Sequence, residues 1–142
     1  MKTLVYFFQF VFVMFLFLIF KILGLKISSA LGGKIFQILG PFFRSKNLIY
    51  KNIRKALPHI NDKEINNITN QMWNNYGRIF AEYVFLKNLR LGLNQSNIII
   101  EGQEILDQIK NKNIPVIFIS GHFSNFELMA MQIEKSGIKL AA

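Results

Sequence analysis

The sequence predicts an α/β chain in three parts: an N-terminal transmembrane helix, a helical region, and then the start of a β-α-β sheet domain. Three observations lead there. Leu4 to Phe20 is seventeen residues, polar only at Gln9, with seven phenylalanines. Ile65, Ile68, Met72, Tyr76, Ile79, Phe80 and Tyr83 recur at helical spacing. Beyond that helix the period changes, and short β-branched runs alternate with helical ones. The expected boundaries are 1–26 for the anchor, 27–60 for a basic interfacial or helical segment, and 61–142 for the N-terminal part of the α/β domain.

Extended through Lys21 to Leu25, the first segment spans 22 residues. At roughly 1.5 Å per residue that is about 33 Å, enough to cross a bilayer. More Lys and Arg follow it than precede it, which places its C-terminal side in the cytoplasm. A cleaved signal peptide is the rival reading, with Ser28-Ser29-Ala30 as the small-residue cleavage site. The long apolar core, Lys21 and Lys26 ahead of that site, and the absence of cysteine favour an uncleaved anchor.

Gly32 to Phe43 is apolar but short and interrupted by Gly40-Pro41, so it is expected to lie in the interface or pack on the domain. Leu48 to Leu57 reads as a basic surface helix stopped by Pro58. Asn61 and Asp62 offer a cap for the long helix, with Glu64 three residues after Asn61 as in a capping box. That helix is expected to run to about Leu86. Asn97 to Glu101 then reads as a strand, Glu104 to Lys110 as a helix, Pro115 to Ser120 as a strand and Asn125 to Lys135 as a helix. Ile138 to Ala142 opens a third strand, within which the chain ends. The domain is therefore expected to continue and the sequence to be incomplete.

Composition narrows the chemistry. There is no cysteine, which excludes disulfides and thiolate catalysis, and two histidines, His59 and His122, do not make a multi-histidine metal centre. No metal and no cofactor are expected. Residues 1–55 carry nine basic residues and no acid, while 56–142 carry eight of each sign. The whole +9 charge thus belongs to the apolar end and suits anionic membrane lipids. Nucleic acid competes as a partner for a basic chain. It is set aside because the cations flank a lipid-like segment and no nucleic-acid motif is present.

Ser120-Gly121-His122-Phe123-Ser124-Asn125-Phe126-Glu127 follows the apolar run Val116 to Ile119. It puts a histidine and a carboxylate five positions apart where a strand gives way to a helix, the end of an α/β sheet at which ligands gather. His122 is the candidate general base and Glu127 the group that orients it. Asn125 and backbone N–H groups at the helix start would stabilise an oxyanion or hold an anionic headgroup. Ser120 and Ser124 lie in no nucleophile-elbow pattern. The plainer readings are a capping or core role for His122 and a dipole role for Glu127. His59 reads as an exposed loop residue, and Glu82 as a structural partner of Arg78.

These residues carry a resemblance. The stretch Ser120 to Glu127 is similar to the G-x-H-F-G-N-W-E motif of the lipid A biosynthesis lauroyl and myristoyl acyltransferases. Ile100 to Glu104 resembles the family's V-E-G-x-E approach, and Asn47 to Pro58 and Gly77 to Glu82 its N-terminal helical region. Ser124 stands for the usual glycine and Phe126 for tryptophan. Only the family's N-terminal half is represented. The resemblance implies an acyltransferase-type sheet domain, with His122 and Glu127 catalytic and Gly121, Ser124 and Asn125 binding substrate. It implies transfer of a fatty acyl group from acyl carrier protein to a hydroxyl of a lipid A precursor, by a single-pass protein of the bacterial inner membrane with its catalytic side in the cytoplasm. A second chain supplying the remaining half is a further expected partner. Two alternatives stay open: a glycerophospholipid acyltransferase, whose His-x4-acid motif usually ends in Asp, and a catalytically inactive membrane-bound fragment.

Overall fold

Every regular element among the described residues is helical. The computed structural model describes residues 2–92 and 98–141. Helices α1 (Lys2–Leu23), α2 (Leu25–Phe43), α3 (Lys46–Ala56) and α4 (Asp62–Glu82) lead into a 3-10 turn at Tyr83–Phe85. Then come α5 (Leu86–Arg90), α6 (Gln103–Lys112) and α7 (Glu127–Lys135). The chain divides into two compact units, residues 1–84 and 85–142.

The expected β-α-β sheet is not formed, and the α/β assignment is corrected to a helical one. Among the described residues there is no strand. Asn97 and Ala142, the outer ends of two predicted strands, lie outside the described residues. Ile98–Ile100, Pro115–Ser120 and Ile138–Ala141 are irregular. Ile99, Ile117 and Ile119 are 89%, 90% and 91% exposed, so these runs do not bury the surface that suggested strands. A short apolar run records a tendency to be buried, whereas a strand exists only where a second segment completes its hydrogen-bond ladder.

In the first unit, α1 is uninterrupted from Lys2 because nothing in it breaks a helix. Its large apolar side chains from Leu4 to Leu18 are mostly exposed, and its one buried residue is Phe20. It is the described helix long and apolar enough to cross a membrane, by length and composition. Gly24, with φ +77°, ends it two residues before the expected Leu25. The Ser28 hydroxyl donates to the Phe20 carbonyl at 2.6 Å, and the Gly24 N–H donates to that same carbonyl at 3.1 Å.

Helix α2 is longer than expected. Gly40-Pro41 does not break it, because Pro41 falls in the last turn, where its missing N–H removes only one late bond. It lies antiparallel along α4, with Ser29 opposite Glu82, Gly32 opposite Gly77 and Ala81, Gly33 opposite Asn74, and Gly40 opposite Trp73. A Cβ on Gly32 would stand 2.4 Å from the Gly77 carbonyl oxygen, and one on Gly77 would stand 2.1 Å from that of Gly32. The helices therefore meet backbone to backbone. Beside this contact, Phe80 of α4 touches Phe17 and Phe20 of α1 and Phe36 of α2, with ring centroids 5.2, 6.4 and 5.4 Å away.

Helix α4 starts where the capping box places it. The Asn61 side chain accepts from the Glu64 N–H, and the Glu64 carboxylate accepts from the Asn61 N–H, both at 3.0 Å. Helix α3 reaches it through an ion pair from Arg54 to Asp62 and a hydrogen bond from the Tyr50 hydroxyl to Asn66. The predicted Arg78–Glu82 partnership is mediated: Ser29 Oγ donates to Glu82 at 2.8 Å and accepts from Arg78 at 3.3 Å.

The Gly32–Gly77 contact yields a sign-reversed prediction. At an exposed helical site, Gly→Ala stabilises by about 1 kcal/mol. Gly77→Ala is expected instead to destabilise by about 2 kcal/mol through overpacking against the Gly32 carbonyl. The unfolding midpoint in detergent micelles checks this, and a rise would contradict the packing described.

Candidate active site

The site lies in the second unit, whose core is thin. Leu89 and Ile133 are its most buried apolar side chains, at 3% and 4% exposure. Helix α7 is held at its C-terminal end by Gln132, which donates to Gln103 at 2.9 Å, and by Ser136, which accepts from Gln103 at 3.1 Å. An Arg90–Glu134 ion pair ties it to α5. The other end of α7, with Glu127 as its first residue, is thereby fixed.

The approach to that end is a series of tight turns. The Phe123 N–H donates to the Gly121 carbonyl at 2.8 Å, closing a three-residue turn with His122 at its apex. The φ at His122 is negative, which makes it the common inverse γ-turn of loop starts. Ser124 follows at φ +47°, in the left-handed region. Leu128 and Met129 then donate to the carbonyls of Asn125 and Phe126, both at 3.1 Å, so α7 opens on i→i+3 bonds.

This path folds His122 back over Phe126. The rings stack 4.3 Å apart with 4° between their planes. Stacking fixes the plane of the imidazole and leaves its edge, which carries both ring nitrogens, clear of the Phe126 face. His122 is exposed to solvent. Glu127, half-buried, is the residue after Phe126 and the first of α7. It also lines a cavity of about 550 Å³ with Lys87, Arg90 and Glu134.

All five sequence-predicted site residues thus fall on one short path: Gly121 before the γ-turn, His122 at its apex, Ser124 at the left-handed bend, Asn125 in the turn, and Glu127 at the helix start. A Cβ on Gly121 would meet the Phe123 ring at 2.4 Å, but that ring is 84% exposed and free to swing away. The contact between His122 and Phe126 was not foreseen. An aromatic four positions after the candidate base, at the mouth of a helix, was the available signal.

Ser124 explains one departure from the motif. Its φ is a value that glycine adopts without cost and that costs an L-residue roughly 1–2 kcal/mol. Ser124→Gly is expected to leave stability unchanged to within about 1 kcal/mol, because relief of this cost offsets the added freedom of the unfolded chain. Ser124→Val, β-branched at positive φ, should lose about 2 kcal/mol. Thermal unfolding of the two variants checks the order.

Comparison with known proteins agrees with this motif. No curated protein and no solved structure matches the chain significantly. The family model of the bacterial lipid A biosynthesis acyltransferases matches it over residues 1–142. With the histidine–glutamate motif at the head of α7 and an apolar helix at the N-terminus, a match of that extent settles the family: this chain is a bacterial lipid A biosynthesis acyltransferase family member.

Proposed function

We propose that the protein transfers a fatty acyl group from acyl carrier protein to a hydroxyl of a lipid A precursor, with His122 as general base and Glu127 as its orienting partner. The observation that carries the reading is the His122 ring stacked on Phe126, with Glu127 the next residue and the first of α7. His122 takes the proton of the acceptor hydroxyl as its oxygen attacks the thioester carbonyl carbon. The C–S bond breaks, an ester forms, and the proton passes from His122 to the departing thiolate, leaving the carrier as free thiol. Glu127 stabilises the imidazolium between these steps, a contact that tightens when substrate excludes water. Asn125, Ser124 and Gly121 line the approach of the reacting carbonyl, and the dipole at the start of α7 favours negative charge there.

The membrane part of the reading rests on α1. Residues 1–26 act as a single inner-membrane anchor, 27–60 as a basic segment on the cytoplasmic surface, and 61–142 as the part that meets substrate. Ser28 and Ser29 are 0% and 7% exposed within α2, so two of the three small residues of the rival cleavage site are packed away, while Ala30 is exposed. Anionic lipids hold the basic segment, and both substrates meet at that surface.

His122→Ala and Glu127→Gln are each expected to lower kcat by about 10²–10⁴-fold, with membrane insertion and fold intact. Phe126 is a positioning residue. Phe126→Ala should lower kcat with little change in KM, and Phe126→Trp, which keeps a flat ring face, should restore it. Assays with a lipid A precursor and with lysophosphatidic acid as rival acceptors test the substrate class. Preference for the latter would favour glycerophospholipid acylation, and full activity in His122→Ala would remove the mechanism.

A further inference from the structure

A second feature lies in the first unit and does not depend on His122. The end of α2, the start of α3 and the middle of α4 enclose a cavity of about 250 Å³. Arg44 and Lys46 line it together with the amides of Asn66 and Asn70, and no carboxylate among the described residues does. Among the described residues Arg44 and Lys46 form no ion pair, and the Lys46 ammonium sits 5.1 Å above the Tyr50 ring, which leaves its charge uncompensated by any carboxylate. Two further lining groups, Thr69 Oγ and Trp73 Nε1 one turn later on α4, are buried with no hydrogen-bond partner among the described residues. Buried donors are ordinarily satisfied, so two on one cavity wall are uncommon.

The helix start points the same way. Ser45, at the N-cap of α3, makes no side-chain capping bond, so the first N–H groups of that 11-residue helix remain open beside Arg44 and Lys46. Two cations, a helix N-terminus and buried donors around one small space match an oxyanion with several acceptor oxygens. With a water taking about 30 Å³, the volume suits a phosphoryl group and a few waters. The apolar surroundings identify its source. Phe42 and Phe43, immediately before Arg44, are 84% and 79% exposed, and Ile38 one turn earlier is 68% exposed. Aromatic and aliphatic side chains beside cations are the signature of a segment seated at the headgroup level of a bilayer.

We infer that this cavity binds the phosphate of an anionic membrane-lipid headgroup, with Arg44 and Lys46 on the phosphate and Phe42 and Phe43 among the acyl chains. The site is additional to the proposed acyl-transfer site, and its test is independent of turnover.

Trp73 is the single tryptophan of the chain and lines the cavity, so its emission reads the site directly. The experiment titrates dihexanoyl phosphatidic acid into the full chain in maltoside micelles and follows that emission. A saturable change is expected, weakened at least tenfold in Arg44→Gln and in Lys46→Gln. Lys51→Gln, an exposed cation of α3 that does not line the cavity, should shift it less than twofold. Inorganic phosphate should bind at least tenfold more weakly, and dihexanoyl phosphatidylcholine should give no saturable change. An absent response, or unchanged affinity in both Arg44→Gln and Lys46→Gln, overturns the site. Inorganic phosphate binding as tightly as the lipid overturns the lipid source, and an equal response to phosphatidylcholine overturns the charge recognition.

Discussion

The close contact of Gly32 with Gly77 is the constraint on which the first unit depends. It lets α2 and α4 touch along their backbones, and the other contacts of the pair follow from that distance. Ser29 then reaches both Arg78 and Glu82, and the Trp73 indole lies on Gly40, where a Cβ would come within 2.2 Å of it. Phe80 can reach rings on α1 and α2 only because those helices come so near. Surface charge contributes little beside this. Arg54 and Asp62 are 57% and 69% exposed, and exposed pairs are worth about 0–1 kcal/mol.

The same unit carries the feature on which the proposed membrane anchoring rests. An apolar α1 leaves its large side chains exposed, while the α2–α4 pair keeps a part-buried polar bridge between its helices. The cations sit beyond that apolar surface, at Arg44, Lys46, Lys51 and in the last turn of α3. Under the proposed reaction, which joins a fatty acid to a membrane-resident acceptor, such an order would confine the encounter to a surface. In the second unit, the proposed general base is held by ring stacking just ahead of a helix start, and a base of that kind is what the proposed thioester–hydroxyl exchange would require.

Much of the helical architecture was legible in the sequence, because its signals are local. Asn61 and Glu64 announce a capping box and form one, and the stripe from Ile65 to Tyr83 marks α4. The helices at α3, α6 and α7 fall within a few residues of expectation. The strands failed because pairing is non-local: Ile117 and Ile119 have strand-forming side chains, yet nothing among the described residues completes a ladder for them. Helix α2 was underestimated because Gly40-Pro41 reads as a break, whereas Gly40, like Gly32 and Gly33, serves close packing. The candidate site was legible as a spacing, from Gly121 to Glu127. The left-handed turn at Ser124 and the ring under His122 depend on backbone angles that no spacing reports.

The most direct measurement is the mass of the acceptor lipid. The protein in its membrane is supplied with a lipid A precursor and acylated carrier protein, and the lipid and the carrier thiol are followed together by mass spectrometry. The account predicts a gain of one acyl residue on the precursor for each carrier thiol released. An unchanged precursor mass with folded, inserted protein, or thiol released without acyl gain, would contradict it.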